Sequence, residues 1–145
     1  MKEETTGRLE DVLKKVSSRN DAEKFAESHG RDYGHFFEYL NDYIAETRGV
    51  VNDIIRRSGI SRNYVYNILN GVTKNPGRDK IIAICIAAGM DLNHLNRGLK
   101  ISGHNSLYPK NTRDIYIASC VNRGMNDVTK INLELEAQGQ SILDV

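Results

Sequence analysis

The sequence has few of the residues that build aromatic cores, disulfide frameworks or membrane spans. Its 145 residues include no Trp, 3 Phe, 2 Cys and 2 Pro, against 7 Tyr. We therefore expect an aliphatic core supplemented by Tyr. No apolar run approaches the roughly 18 residues that span a bilayer, and the charged start MKEETTGRLE lacks the apolar core of a secretory signal. These absences predict a cytoplasmic protein with no membrane partner.

The sequence also lacks a metal-binding or catalytic pattern. Cys85 and Cys120 lie in apolar helical segments, without CxxC spacing and without a nearby pair of histidines. Since zinc sites need such ligand sets, we predict two reduced core thiols. The four histidines have no nucleophile or carboxylate partner at a catalytic spacing, and no Gly-rich phosphate loop is present. We expect neither an enzyme nor a cofactor.

Charge is unevenly distributed although the net charge is only +1. Residues 1–46 contain 7 Lys/Arg and 11 Asp/Glu, a balance of −4. Residues 51–80 contain 6 Lys/Arg and 2 Asp, a balance of +4. A locally basic segment suits a surface that faces phosphate groups, and an ordinary solvated surface is the alternative.

Apolar residues recur at helical spacing in nearly every segment, and no segment alternates like a strand, which predicts an all-α fold. The stripe in YGHFFEYLNDYIAETRG predicts a helix that Gly49 ends. Upstream, apolar spacing from Leu9 to Val16 predicts one helix, and a second short helix is expected to end near Ser28. Further helices are expected near 51–57, 62–69, 78–88, 92–102, 112–122 and 127–138.

The last helices contain an internal repeat. RDKIIAICIAAGM (78–90) aligns with RDIYIASCVNRGM (113–125) at an offset of 35, with seven of 13 positions identical. After one inserted residue, further matches follow, among them Asn96 with Asn132. Each copy is a helix, a glycine stop and a second amphipathic helix. Because one helical hairpin cannot bury its apolar face alone, we predict two hairpins stacked on each other.

Residues 58–71, SGISRNYVYNILNG, have the pattern of a helix-turn-helix. Gly59 can supply the turn and Ser61 can cap the second helix. Its outer face then carries Arg62, Asn63, Tyr66 and Asn67. Arginine can pair with guanine and asparagine with adenine in the major groove, whereas a plain solvent-facing surface is the alternative.

Residues 36–103 resemble the five-helix helix-turn-helix domain of the phage-repressor (Cro/CI, or XRE-like) superfamily. The likeness lies in the Ser-Gly-Ile-Ser turn, the Asn-Gly exit, the basic loop before Pro76 and a following helix that ends in Ala-Gly. The resemblance implies binding of double-stranded DNA. The implied base contacts are Arg62, Asn63, Tyr66 and Asn67, and the candidate phosphate contacts are Asn52, Ser61, Lys74, Asn75 and Arg78.

The whole chain is also similar to a group of bacterial helix-turn-helix proteins with an appended LYPKNTRD-type helical pair. These resemblances imply three parts. Residues 1–32 would be an acidic helical N-terminal extension, residues 33–104 the helix-turn-helix domain, and residues 105–145 a C-terminal helical hairpin packed on it.

Two features depart from the superfamily pattern. The polar pair that usually holds a phosphate is replaced here by Val50-Val51. The small residue that usually precedes the turn is replaced by Ile55, which should separate or rotate the two helices.

Two functions therefore stay open. One is a sequence-specific transcriptional regulator, which would need a homodimer surface to read a symmetric operator. The other is a non-enzymatic protein-interaction or signalling module, with Tyr64 and Tyr66 as anchors for a protein partner.

Overall fold

A computed structural model describes residues 33–145, of which residues 34–145 form one compact unit. All regular structure in this part of the chain is helical, so the predicted all-α class is confirmed. Its helices are α1 (Phe36–Thr47), α2 (Val51–Ser58), α3 (Arg62–Leu69), α4 (Arg78–Ala87), α5 (Leu92–Ile101), α6 (Thr112–Asn122) and α7 (Val128–Ala137). The helices and the extension predicted within residues 1–32 lie outside the described residues. None of the helices described is long and apolar enough to cross a membrane.

The end of α1 differs from the expectation. The left-handed residue is Arg48, at φ 55°, and not Gly49. The N–H of Gly49 donates to the carbonyl of Ile44 at 2.8 Å. This bond satisfies one of the last carbonyls of the helix, and its geometry requires the left-handed residue to be the one before the donor. The helix therefore closes one residue earlier than the glycine indicated.

The central helix is α4. Its residues 81–87 are all buried, because α2, α5 and α7 pack against it. Helices that are enclosed in this way have no polar face, which explains the nearly continuous apolar run in the sequence. Cys85 lies in this run, and Cys120 occupies the equivalent place in α6. Both are buried free thiols, as predicted.

A close approach between α1 and α5 depends on Gly98. A Cβ atom at this position would lie 3.1 Å from the ring of Phe36 and 3.3 Å from the sulfur of Cys85. Only a residue without a side chain leaves α1 this close to α5. The contact closes the core on the side of α4 that carries Cys85.

The repeated segments form two hairpins, α4–α5 and α6–α7, and α4 packs against α7 while α5 packs against α6. Arg78 donates to both carboxylate oxygens of Asp114, at 3.2 and 2.9 Å. Arg113 donates to both carboxylate oxygens of Asp79, at 3.0 and 2.8 Å. Each arginine therefore pairs with the aspartate of the other copy.

Backbone contacts repeat in the same way within each copy. Arg78 also donates to the carbonyls of residues 105 and 106, and Arg113 donates to those of residues 141 and 142. Each arginine thus ties the start of its own hairpin to the segment that follows the hairpin. These bonds leave the guanidinium groups largely committed to protein acceptors.

An asparagine in the second helix of each hairpin makes the next equivalent contact. The side-chain oxygen of Asn96 accepts the N–H of Leu107 at 2.9 Å, and that of Asn132 accepts the N–H of Leu143 at 2.9 Å. The segment after each hairpin is therefore fixed by the same pair of side chains, one arginine and one asparagine.

Candidate nucleic-acid interface

The turn between α2 and α3 is held by Ser58 and Gly59. Gly59 has φ 71°, in the left-handed region that glycine adopts without strain. The buried hydroxyl of Ser58 donates to the carbonyl of Ile55 at 3.1 Å and accepts the N–H of Ile60 at 3.0 Å. The sequence analysis included Ser58 in the turn motif but did not predict these bonds, which join the last turn of α2 to the segment leading into α3.

The first residues of α3 are fixed by a side-chain cap, as the sequence predicts. The hydroxyl of Ser61 accepts the N–H of Tyr64 at 3.2 Å. Val65 and Ile68 are buried, so the opposite face of α3 is turned to solvent. Of the predicted base contacts, Arg62, Asn63 and Tyr66 are exposed and Asn67 is half-buried.

One hydrogen bond joins the beginnings of α2 and α3. The side-chain oxygen of Asn52 accepts from one terminal nitrogen of Arg62 at 2.9 Å, and both residues are exposed. This bond brings a predicted phosphate contact beside a predicted base contact. A guanidinium has five N–H donors, so the bond to Asn52 orients Arg62 and leaves donors for a nucleic acid.

The loop before α4 carries the next two predicted contacts. Lys74 and Asn75 are both exposed. The loop is anchored directly after them, since Pro76 is buried and its carbonyl oxygen lies 3.0 Å from Nε2 of His104. A carbonyl can only accept, so Nε2 carries the proton of this bond. The anchor holds Lys74 and Asn75 near the first turn of α4.

Arg78 stands apart from the other predicted phosphate contacts. Its guanidinium makes four hydrogen bonds, two to Asp114 and two to backbone carbonyls, and its side chain is only 27% exposed. We therefore assign Arg78 to the packing of the two hairpins. The repeat contained a signal for this role, because the Arg-Asp pair is present in both copies.

Lys80 is a cation near α3 that sequence reasoning did not select. Its Nζ lies 5.0 Å from the centre of the Tyr64 ring, within the range of a cation–π contact. Tyr64 is half-buried by its surroundings, whereas Tyr66 is 39% exposed. Of the two tyrosines, only Tyr66 lies open to a partner on the outer face of α3.

Ion pairs cancel part of the basic charge of residues 51–80. Arg56 pairs with Asp53 at 3.1 Å on the exposed surface of α2. Arg78 and Asp79 belong to the pairs between the hairpins. The cations of this segment outside those pairs are Arg57, Arg62, Lys74 and Lys80.

The start of α2 has no polar cap. Val50 occupies the N-cap position without a side-chain hydrogen bond and is 54% exposed. The first N–H groups of an α-helix have no partner within the helix, so this end keeps donors and a partial positive charge. Further along, Ile54 is fully buried and Ile55 is half-buried. The large side chain of Ile55 therefore lies partly in the core and partly in solvent.

Comparison with models of protein families, with curated proteins and with solved structures gives no match to this chain. Within residues 33–145, no group of three or more His, Cys, Asp or Glu side chains could hold a metal ion. Three features define the candidate interface: the capped start of α3, the hydrogen bond between Asn52 and Arg62, and the exposed loop before α4.

Proposed function

We propose that the α2-turn-α3 unit binds double-stranded DNA as the helix-turn-helix of a transcriptional regulator, with α1–α5 as a repressor-like domain. The hydrogen bond between Asn52 and Arg62 carries the proposal. It gathers polar side chains from the starts of two helices at one exposed place. In a helix-turn-helix, this is the end of the second helix that faces base edges.

The exposed face of α3 has side chains that suit the major groove. Arg62 would pair with guanine O6 and N7 while Asn52 holds its orientation. Asn63 and Asn67 are suited to adenine N6 and N7, and Tyr66 to a thymine methyl or a phosphate. Each good bidentate pair discriminates against a wrong base by about 1–3 kcal/mol. Specificity would therefore depend on few residues.

Phosphate contacts would come from the flanking segments. Lys74 and Asn75 are exposed on the loop before α4, and the uncapped start of α2 offers backbone N–H groups beside Asn52. Ser61 uses its oxygen to cap α3 and keeps its hydroxyl hydrogen for donation. These contacts would position the unit on DNA without reading sequence.

The test begins with selection of bound duplexes from a random pool, followed by titration of the enriched sequence. Arg62→Ala should weaken binding about tenfold to a hundredfold and relax preference at one base pair. Lys74→Ala should weaken all duplexes alike and reduce the salt dependence by about one ion. Lys130→Ala, an exposed charge on α7, is the matched control and should change little. A pool that yields no enriched sequence would count against the proposal.

A second candidate function is protein binding, and the exposed side chains of Val50 and Tyr66 favour it. The apolar side chain of Val50 cannot form a hydrogen bond with a phosphate, whereas it can enter a protein interface. Tyrosine is also common among interface residues that dominate affinity. This function predicts a stoichiometric complex with one purified partner that Tyr66→Ala abolishes, together with only salt-labile and sequence-blind DNA binding.

A further inference from the structure

The contacts between the two hairpins are reciprocal. Arg78 of the first copy pairs with Asp114 of the second, and Arg113 of the second pairs with Asp79 of the first. A stack related by translation would not exchange its partners in this way. Reciprocal contacts characterise an isologous interface, in which the same patch on two units meets itself across a two-fold axis.

The chain segments that follow the hairpins obey the same relation. The N–H of Tyr108, after the first hairpin, donates to Asp114 of the second at 2.9 Å. The N–H of Asp144, after the second hairpin, donates to Asp79 of the first at 2.9 Å. Two further bonds therefore cross between the copies in equivalent directions. The contacts between the two hairpins of this one chain therefore have the reciprocal pattern of an isologous interface.

Only the first hairpin is preceded by a helix-turn-helix. The helices α1–α3 lead directly into α4, whereas residues 102–111 connect α5 to α6 and contain no helix. This connection has no room for a second recognition helix. The internal pair of hairpins thus has one half with α1–α3 and one half without them.

The side chains of the second hairpin also suit a hairpin that no helices equivalent to α1–α3 cover. Ser119 and Asn122 stand in α6 where α4 has Ile84 and Ala87, and both are exposed whereas their apolar counterparts are buried. A helix that received a second set of covering helices would need apolar residues at these places. Its polar residues indicate that this face of α6 is built for solvent.

The position that contacts α1 shows the same adaptation. Gly98, which α1 approaches closely, is replaced in the second copy by Glu134. The carboxylate of Glu134 pairs with Arg123 and accepts from the thiol of Cys120 at 3.2 Å. The Glu134–Arg123 ion pair therefore lies beside Cys120 in the second copy. In the first copy, aromatic rings lie at the corresponding place, beside Gly98 and Cys85.

We propose that the C-terminal hairpin occupies, within one chain, the place of a second subunit, so that the protein is a monomer with one recognition helix. The isologous surface of the first hairpin is already filled by α6–α7, and no second chain is needed to cover it. Resting on the proposed function, this means that the protein reads one half-site. Symmetric operators, by contrast, are read by two helices about 34 Å apart.

The mass of the full chain in solution tests the first half of this inference. Light scattering after size exclusion should give 16.3 kDa at every concentration from micromolar upward. The urea midpoint of unfolding should also be independent of protein concentration, because dissociation of a dimer would make it concentration-dependent. A species of twice the mass, or a midpoint that rises with concentration, would overturn the proposal.

DNA stoichiometry tests the second half. A duplex with one selected half-site should form a 1:1 complex, and a duplex with two half-sites one helical turn apart should bind two chains independently with the same affinity. Strong cooperativity, or a requirement for two half-sites, would overturn the proposal that each molecule binds DNA with one recognition helix. Arg62→Ala should weaken the specific complex about tenfold to a hundredfold without changing the mass. A monomer that selects no sequence would refute the proposed function and support the closed arrangement of the hairpins.

Discussion

The guanidinium of Arg78 meets both carboxylate oxygens of Asp114, a residue in the other copy of the repeat. The carboxylate is almost completely buried, with 5% of its side chain exposed, and also accepts the N–H of Tyr108. Asp114 is therefore buried, paired with a guanidinium and bonded to a backbone N–H at the same time. The stability of the whole unit should depend on this residue more than on any exposed acid.

Asp114→Ala should lower the free energy of unfolding by about 3 kcal/mol, because it removes the counter-charge of Arg78 and the acceptor of the Tyr108 N–H. Asp53→Ala is the matched control, since Asp53 also pairs with an arginine but does so on the surface. Its loss should stay within about 1 kcal/mol. Urea unfolding of both variants measures the difference, and equal losses would contradict a special role for Asp114.

Stability should decrease in acid through Asp79. Burial alone would raise the pKa of this carboxyl, but the hydrogen bonds from Arg113 and from the N–H of Asp144, with the arginine charge, outweigh burial and lower the pKa. A lowered pKa in the folded state means that the stabilisation is present above the unfolded value and is lost as the pH falls through the folded one.

The measurement is the free energy of unfolding between about pH 6 and pH 2, a range that covers the titration of aspartate. Asp79→Asn keeps the size of the side chain and loses the charge, so it should be less stable than the native chain at pH 6 and approach it at the acid end. Parallel curves for the two proteins would show that Asp79 does not contribute to the acid response.

Gly59→Ala should destabilise the turn and disturb the C-terminal segment. The residue has a left-handed conformation, and a Cβ would lie 3.3 Å from a methyl group of Val145. We expect a loss of roughly 1–2 kcal/mol from the backbone alone. Gly89→Ala is the control, because that residue is also left-handed and a Cβ there would meet nothing within 4 Å.

If the contact with Val145 matters, Gly59→Ala should lose more stability than Gly89→Ala and should also weaken binding of the selected duplex. The second effect follows because the turn sets the direction of α3. Equal losses of stability, with unchanged DNA affinity, would show that the turn tolerates the added methyl group.

Neither cysteine should react in the native protein. Burial raises the pKa of Cys85, and burial together with the carboxylate of Glu134 raises the pKa of Cys120 to about 11. Since the thiolate is the reactive form, a colorimetric thiol reagent at neutral pH should label no cysteine in the native chain and two after unfolding. Rapid labelling of the native chain would contradict the buried placement, and Cys120→Ala would identify the thiol responsible.

Within residues 33–145, helix positions were well predicted because the signals are local. The apolar spacing of each helix, the cap at Ser61 and the turn at Gly59 all involve residues close in sequence, and the structure has them where expected. The end of α1 was misplaced by one residue because Arg48 adopts the left-handed conformation that glycine usually takes. Neighbouring backbone hydrogen bonds, and not residue type, decided that detail.

Over residues 33–145, the sequence alone determined an all-helical fold, a capped and exposed α3 and a repeated hairpin, because periodicity and capping act over a few residues. Only the tertiary structure decided the partner of each charged side chain. It paired Arg78 with Asp114 and joined Arg62 to Asn52. It also made the contacts of the repeat reciprocal. Ion pairs between residues far apart in sequence depend on how helices meet, which the local pattern does not specify.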